Sequence, residues 1–298
     1  MPVPHTHITR RRLLAAALAV PLLDGCGTSE HREIRLAYVN WADATALTYL
    51  AKAVLEEKLG YEVEVTMADA APVFTSVADG GHDAFLSAWL PVTHADYMEK
   101  YSDRLVDLGP NYVGTRIGLV VPDHVAVQSI DELNRNRNRF DSEIIGIDAG
   151  AGIMRITEQA IEAYHLNYTV LPSSEAAMTA SLKDAVDNRE AVVVTGWKPH
   201  WMFARWPLRF LEDPQEVYGR SENIHTVVRP GFVEDRPDVA AFFRRYRLNA
   251  DQLQELMEQL RRSHDRPTDV AVRWVREHED TVSGWTGESD PSPSPLPR

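Results

Sequence analysis

Asp83-Ala84-Phe85-Leu86-Ser87-Ala88-Trp89-Leu90-Pro91-Val92-Thr93-His94 is the stretch on which the reading of this chain turns. An apolar run ends in a large indole and a proline, with an imidazole close behind. Proline is tolerated in a first helical turn, so the segment reads as a strand that stops where a helix begins. In open α/β sheets that edge is where ligands bind. The indole face attracts cations through its quadrupole, and His94 is able to donate a hydrogen bond to an anion. A ligand carrying both charges suits the pair. A core tryptophan beside a surface histidine is the competing reading of the same octapeptide, Ser87 to His94.

Working outward, two further tryptophans stand at comparable corners. Glu33 to Val39 alternates like a strand and runs into Asn40-Trp41-Ala42-Asp43. Asp43 is a candidate N-cap for a helix through Leu59, with Leu47, Leu50, Ala51, Val54 and Leu55 at helical spacing and Gly60 as the stop. Tyr61 to Met67 reads as a strand and Ala71 to Ala78 as a short helix, before the strand that leads to Trp89. Strand-helix-strand-helix-strand is the pattern of a parallel sheet. Leu105 to Gly118 looks less regular, and Leu119 to Val121 reads as a strand ended by Pro122.

A second α/β unit follows. Glu143 to Ile147 reads as a strand and about 153 to 164 as a helix. Tyr168 to Leu171 is a strand, Ser173 or Ser174 caps a helix through Val186, and Ala191 to Thr195 runs into Gly196-Trp197-Lys198-Pro199-His200-Trp201. Glu222 to Val228 reads as a returning crossover strand, and helices follow at about 238 to 247, 250 to 262 and 268 to 282. Trp201, Trp206, Trp274 and Trp285 read as packing residues.

The ends of the chain and its charge narrow the function. Of 298 residues, 44% are hydrophobic and 25% charged, enough for a substantial core, and the net charge of -13 argues against nucleic acid as a partner. Arg10-Arg11-Arg12 precedes an apolar stretch, Leu13 to Leu23, that is short for a membrane span, so residues 1–26 read as an export signal. Thr9-Arg10-Arg11-Arg12-Leu13-Leu14 resembles a twin-arginine signal. Leu23-Asp24-Gly25-Cys26 resembles a lipobox, with Asp24 where a small or apolar residue is usual. Cys26 is the single cysteine, which leaves no internal disulfide and no cysteine-based metal site. No histidine pair shows metal spacing outside the signal, so no metal and no cofactor are expected. The last residues, 287–298, end in a Pro/Ser-rich run read as a disordered tail.

Two features carry candidate chemistry. If Trp41, Trp89 and Trp197 face one cleft, they make an aromatic box. Such a box suits a quaternary ammonium, which offers no conventional donor and leaves ring quadrupoles and dispersion as the main attraction. Gly146-Ile147-Asp148-Ala149-Gly150-Ala151-Gly152-Ile153 follows a strand and opens a helix, so its N–H groups are able to cradle an anion. It lacks the P-loop ending and the dinucleotide spacing, and a carboxylate fits it better than a nucleotide. A tight turn without a ligand is the alternative.

Tyr38-Val39-Asn40-Trp41, Ser87 to His94, Gly146 to Met154, Ala177-Met178-Thr179-Ala180 and Thr195 to Phe203 together resemble the glycine betaine/proline betaine substrate-binding proteins of osmoprotectant ABC importers. The likeness runs over roughly residues 33 to 285. It implies a two-lobed α/β periplasmic-binding-protein-like fold of type II, each lobe a mixed sheet flanked by helices, with a ligand cleft between. Lobe 1 is drawn as 27–121 plus 225–286 and lobe 2 as 122–224. The resemblance further implies that Trp41, Trp89 and Trp197 surround the quaternary ammonium, and that His94 and the N–H groups of Gly152 and Ile153 hold the carboxylate. His200 competes with His94 as the anion contact.

The implied role is that of a non-enzymatic, extracytoplasmic receptor, anchored to the membrane through Cys26, which hands a small quaternary ammonium solute to a permease. A solute sensor that docks a receptor instead is a second reading. An exported serine hydrolase of choline esters, using Ser173 or Ser174, His94 or His200, and Asp148, is a third, and the absence of a Gly-x-Ser-x-Gly elbow counts against it.

Overall fold

The computed structural model describes Met1 and residues 32–287; the export segment, Cys26 and the Pro/Ser-rich run lie outside the described residues. The chain runs β1 (Glu33–Tyr38), α1 (Ala42–Glu57), β2 (Glu62–Met67), α2 (Ala70–Ala78), β3 (Ala84–Leu90), α3 (Ala95–Lys100) and β4 (Val106–Pro122). It continues through α4 (Leu133–Asn136), β5 (Glu143–Ile145), α5 (Gly152–Ala163), β6 (Thr169–Leu171), α6 (Glu175–Asn188), β7 (Val194–Lys198), α7 (Met202–Arg205) and β8 (Leu208–Phe210). The last elements are β9 (Glu222–Val228), α8 (Phe232–Asp235), α9 (Pro237–Arg245), α10 (Ala250–Arg262), α11 (Pro267–Glu277) and α12 (Glu279–Thr286). None of the described helices is long and apolar enough to cross a membrane.

The strands follow the order β2-β1-β3-β9-β4-β7-β5-β6, with β8 also on β4. β2, β1 and β3 are parallel, and so are β6, β5 and β7. Between the two parallel sets lie antiparallel pairings of β9 with β3, of β4 with β9 and of β4 with β7. The architecture is therefore two α/β halves joined through β4, as the alternation of strands and helices predicts.

β4 differs from its expectation. Leu105 to Gly118, which looks irregular in sequence, belongs to one strand that runs from Val106 to Pro122. Its irregularity is real but local: the register against β9 shifts three times, and Gly109 and Gly114 both take positive φ. Bulges of this kind bend a strand without ending it. β4 pairs with β9 up to Thr115 and with β7 from Arg116 onward, so one strand serves both halves.

α1 shows how the sequence places the first site corner. Ala44, Leu47, Leu50, Ala51, Val54 and Leu55 are buried and turn the helix toward β3 and toward α10 and α11. Trp41, not Asp43, is the N-cap residue, and its side chain makes no cap bond. Asp43 sits two residues further on, within the first turn and fully buried, because its carboxylate has partners in the interior that outweigh the capping role expected of it. In the second half Ser174 caps α6 by accepting from the Ala177 N–H, which resolves the choice between Ser173 and Ser174. Trp274 and Trp285 are buried and stack on one another at 6.0 Å.

Candidate functional site

The C-terminal ends of the two parallel strand sets face one another across a cavity whose empty space, its opening to solvent included, is about 300 Å³. Its lining includes Trp41, Trp89, His94, Gly152, Ile153 and Trp197, together with Asp43, Thr93, Ile117, Ile147 and Ala151. Every ligand contact expected from the sequence thus reaches one space. Trp41 follows β1, Trp89 and Trp197 are the next-to-last residues of β3 and β7, and Gly152 and Ile153 open α5 after β5.

Local structure fixes the Trp89 corner. The Trp89 N–H donates to His94 Nδ1 at 2.8 Å, and the His94 N–H donates back to the Trp89 carbonyl at 2.9 Å. Between them, the N–H groups of Val92 and Thr93 and the Thr93 hydroxyl all donate to the buried carboxylate of Glu222, the first residue of β9. Val92 and Thr93 are therefore held from the strand that carries the chain back into the first half.

His94 is buried, and because Nδ1 accepts a bond, a neutral ring carries its proton on Nε2. Burial, and secondarily the charge of Arg155, push its pKa from 6.5 down to about 3. The ring is thus uncharged at neutral pH. Nε2 is buried without a partner in the protein, a donor of the kind that buried sites leave for a ligand. The ring lies parallel to Trp41, with centroids 5.9 Å apart. The first two N–H groups of α5, those of Gly152 and Ile153, have no acceptor within their helix, and the helix dipole adds positive potential there. A Cβ added at Gly152 would collide with the carbonyl oxygen of Thr93, so the two halves touch backbone to backbone at this point.

The sequence reading missed Asp43 as a site residue, yet it organises the aromatic walls. Asp43 Oδ2 accepts from Ser87 Oγ at 2.6 Å and from Trp89 Nε1 at 3.2 Å, while Oδ1 accepts from Trp197 Nε1 at 3.1 Å. Burial raises its pKa; the Ser87 bond opposes that rise, the nearby charge of Glu175 adds to it, and the Trp89 bond lowers it again. Trp41 Nε1 donates to Asp148 Oδ2 at 2.8 Å, and Asp148 belongs to the glycine-bearing loop of the second half. The halves exchange partners: each supplies a carboxylate to an indole of the other. All three indole N–H groups are thus occupied by carboxylates.

His200, the competitor of His94, is engaged elsewhere. Its Nδ1 accepts from the Met202 N–H at 3.0 Å and its Nε2 pairs with Glu175 Oε1 at 3.1 Å. Nor do the candidate hydrolase residues form a triad. Ser173 Oγ donates to the Gly146 carbonyl, Ser174 Oγ caps α6, and Asp148 is held by Trp41, so neither serine meets a histidine.

Residues 32–277 match the model of the OpuAC family, described as the substrate-binding domain of an ABC-type glycine betaine transport system. Lactococcal OpuAC in its closed-liganded conformation with glycine betaine superposes with a TM-score of 0.81 at 33% identity, over 86% of this chain and 99% of that one. A glycine betaine/L-proline transporter's binding protein, ProX from Borrelia burgdorferi, gives a TM-score of 0.82 at 37% identity, over 85% of this chain and 96% of that one. The glycine betaine/carnitine transport binding protein GbuC of Listeria monocytogenes is 44% identical over 146 residues, a match spanning 48% of each chain. Only about half the length of that curated relative is thus matched.

Proposed function

Starting from the membership of this chain in the family of substrate-binding domains of ABC-type glycine betaine transport systems, we propose that its cavity captures glycine betaine or a close quaternary ammonium relative. The trimethylammonium group lies between the faces of Trp41, Trp89 and Trp197. The carboxylate takes the Nε2 proton of His94 and the N–H groups of Gly152 and Ile153. The observation that carries this reading is the convergence of three tryptophans and one unpartnered buried donor on a single cavity.

Magnitudes favour such a complex. Each desolvated ring contributes about 2 kcal/mol to a cation, and each hydrogen bond to the carboxylate about 1.5–3 kcal/mol. Immobilising the solute costs several kcal/mol in return. Micromolar binding needs about 8 kcal/mol net.

In this reading the halves are lobes that close over the solute, and the closed protein is what a membrane permease accepts. The lobe drawn over 27–121 with 225–286 brings Trp41, Trp89 and His94; that over 122–224 brings Trp197, Gly152 and Ile153. Capture takes place outside the cytoplasm, with Cys26 as the lipid anchor. Calorimetry with glycine betaine is the test. Wild type binds in the micromolar range or tighter, Trp89→Ala loses tight binding, and equal affinity of the two proteins would overturn the assignment.

A further inference from the structure

Trp41 belongs to the first half but is held from the second at two points. Its indole N–H donates to Asp148 Oδ2 at 2.8 Å, and the N–H of the next residue, Ala42, donates to Glu175 Oε2 at 2.8 Å. Ala42 is the first residue of α1, whose N-cap side chain makes no bond of its own. A helix start leaves such an N–H without an internal acceptor, and negative charge there is favourable. Glu175 therefore supplies across the seam the cap that Trp41 does not.

Glu175 is itself held rigidly. Its second oxygen, Oε1, accepts from His200 Nε2 at 3.1 Å, and His200 is fixed in turn by the Met202 N–H at its Nδ1. The His200 ring is wholly buried and the Glu175 side chain is 11% exposed, so neither has room to drift. The chain of contacts runs from the strand end that carries Trp197, through His200 and Glu175, to the corner that carries Trp41.

We propose that Asp148 and Glu175 are positioning residues that lock the Trp41 corner from the opposite half and thereby set how slowly bound solute is released. The inference rests on the proposed binding function. Bonds between the halves exist only when they are together. Removing them leaves the encounter of solute with the open protein unaltered and shortens the life of the closed complex. They touch no solute; they act through the placement of Trp41.

Stopped-flow tryptophan fluorescence with glycine betaine, on the full chain, tests this by separating association from dissociation. Glu175→Ala and Asp148→Ala are each expected to raise the dissociation rate about tenfold or more, with association changed less than about threefold. Asp148→Asn keeps an oxygen for the Trp41 N–H and is expected to stay close to wild type. The melting midpoint of the ligand-free protein should move little in any of them, which separates positioning from a general structural role. If Asp148→Ala does not fold, Glu175→Ala decides alone. Dissociation within about twofold of wild type, or a change carried by association instead, overturns the proposal while leaving the binding function standing. A wild-type protein without response to glycine betaine or choline overturns both.

Discussion

Trp197 Nε1 lies 3.1 Å from Asp43 Oδ1, so an indole at the end of β7 finds its acceptor on α1 of the other half. The same carboxylate holds Trp89 and Ser87, and the orientation of two walls depends on one buried charge. Trp197→Phe keeps an aromatic face and removes this bond. A hydrogen bond to a charged group contributes about 1.5–3 kcal/mol, so affinity for glycine betaine should fall roughly ten- to a hundredfold by calorimetry. Wild-type affinity in the phenylalanine variant would show that the indole N–H is idle.

His94 should discriminate between solutes. His94→Ala removes a donor aimed at a carboxylate, so glycine betaine should lose about tenfold or more in affinity, while choline, which has no carboxylate, loses less. Titrating both solutes into one preparation checks this. Equal losses would make His94 a packing residue.

The same ring makes stability depend on pH. Unfolded, His94 takes a proton near 6.5; folded, it resists until about pH 3. Between these values the unfolded state binds the extra proton. The contribution of His94 is therefore complete above pH 6.5 and is lost as pH falls, by up to about 1.4 kcal/mol per unit. Asp43, raised by burial, acts in the opposite sense at pH values above the ordinary carboxylate pKa, where the folded state retains a proton that the unfolded chain has released. Urea unfolding of ligand-free protein at pH 7.5, 6 and 5 should show stability falling with pH, and a shallower fall in His94→Asn. Identical slopes would count against the buried imidazole as the source.

Gly152→Ala tests the approach of the halves. Gly152 has no positive φ, so alanine is acceptable to the backbone, and the obstacle is the Thr93 carbonyl opposite. Overpacking costs about 1–3 kcal/mol, which predicts a five- to hundredfold loss of affinity. The melting midpoint without ligand should stay near that of wild type, whereas a large drop would mean that Gly152 serves folding and not closure.

Glu222→Ala should act on the fold itself. It strips the acceptor from two backbone N–H groups and a hydroxyl in a buried turn. Leaving buried donors unsatisfied costs about 1–3 kcal/mol each, so chemical denaturation should register a loss of roughly 2–4 kcal/mol. Glu222→Gln, whose amide is able to accept from the N–H groups and donate to the hydroxyl, should recover much of it.

Much of this site is readable from the sequence because its parts obey local rules. Tryptophan at strand ends and a glycine-rich turn opening a helix are visible in short windows; they point to Trp41, Trp89, Trp197 and the loop from Gly146 to Ile153, while the choice of Gly152 and Ile153 within that loop comes from the family resemblance. What escaped depends on long-range contact. Asp43 reads as a helix cap until Trp197, 154 residues later, is known to need its oxygen. Glu175 and Glu222 look like ordinary surface acids, because nothing near them in sequence reveals an acceptor required elsewhere. β4 was hidden by Gly109, Pro110 and Gly114, which weaken the strand pattern locally while pairing on either side holds the strand together.

Since β4 is shared, neither half owns a complete sheet. A fragment beginning at Arg116 would keep β4 on β7 but strip β9 of both its neighbours, and one ending before Arg116 would leave β3 and the first part of β4 without β9. Each piece would display a bare row of amide and carbonyl groups, a template for indiscriminate strand pairing. The protein is thus indivisible at the place where a domain map would invite a cut: severed there, it should yield two precipitates and no pair of folded modules.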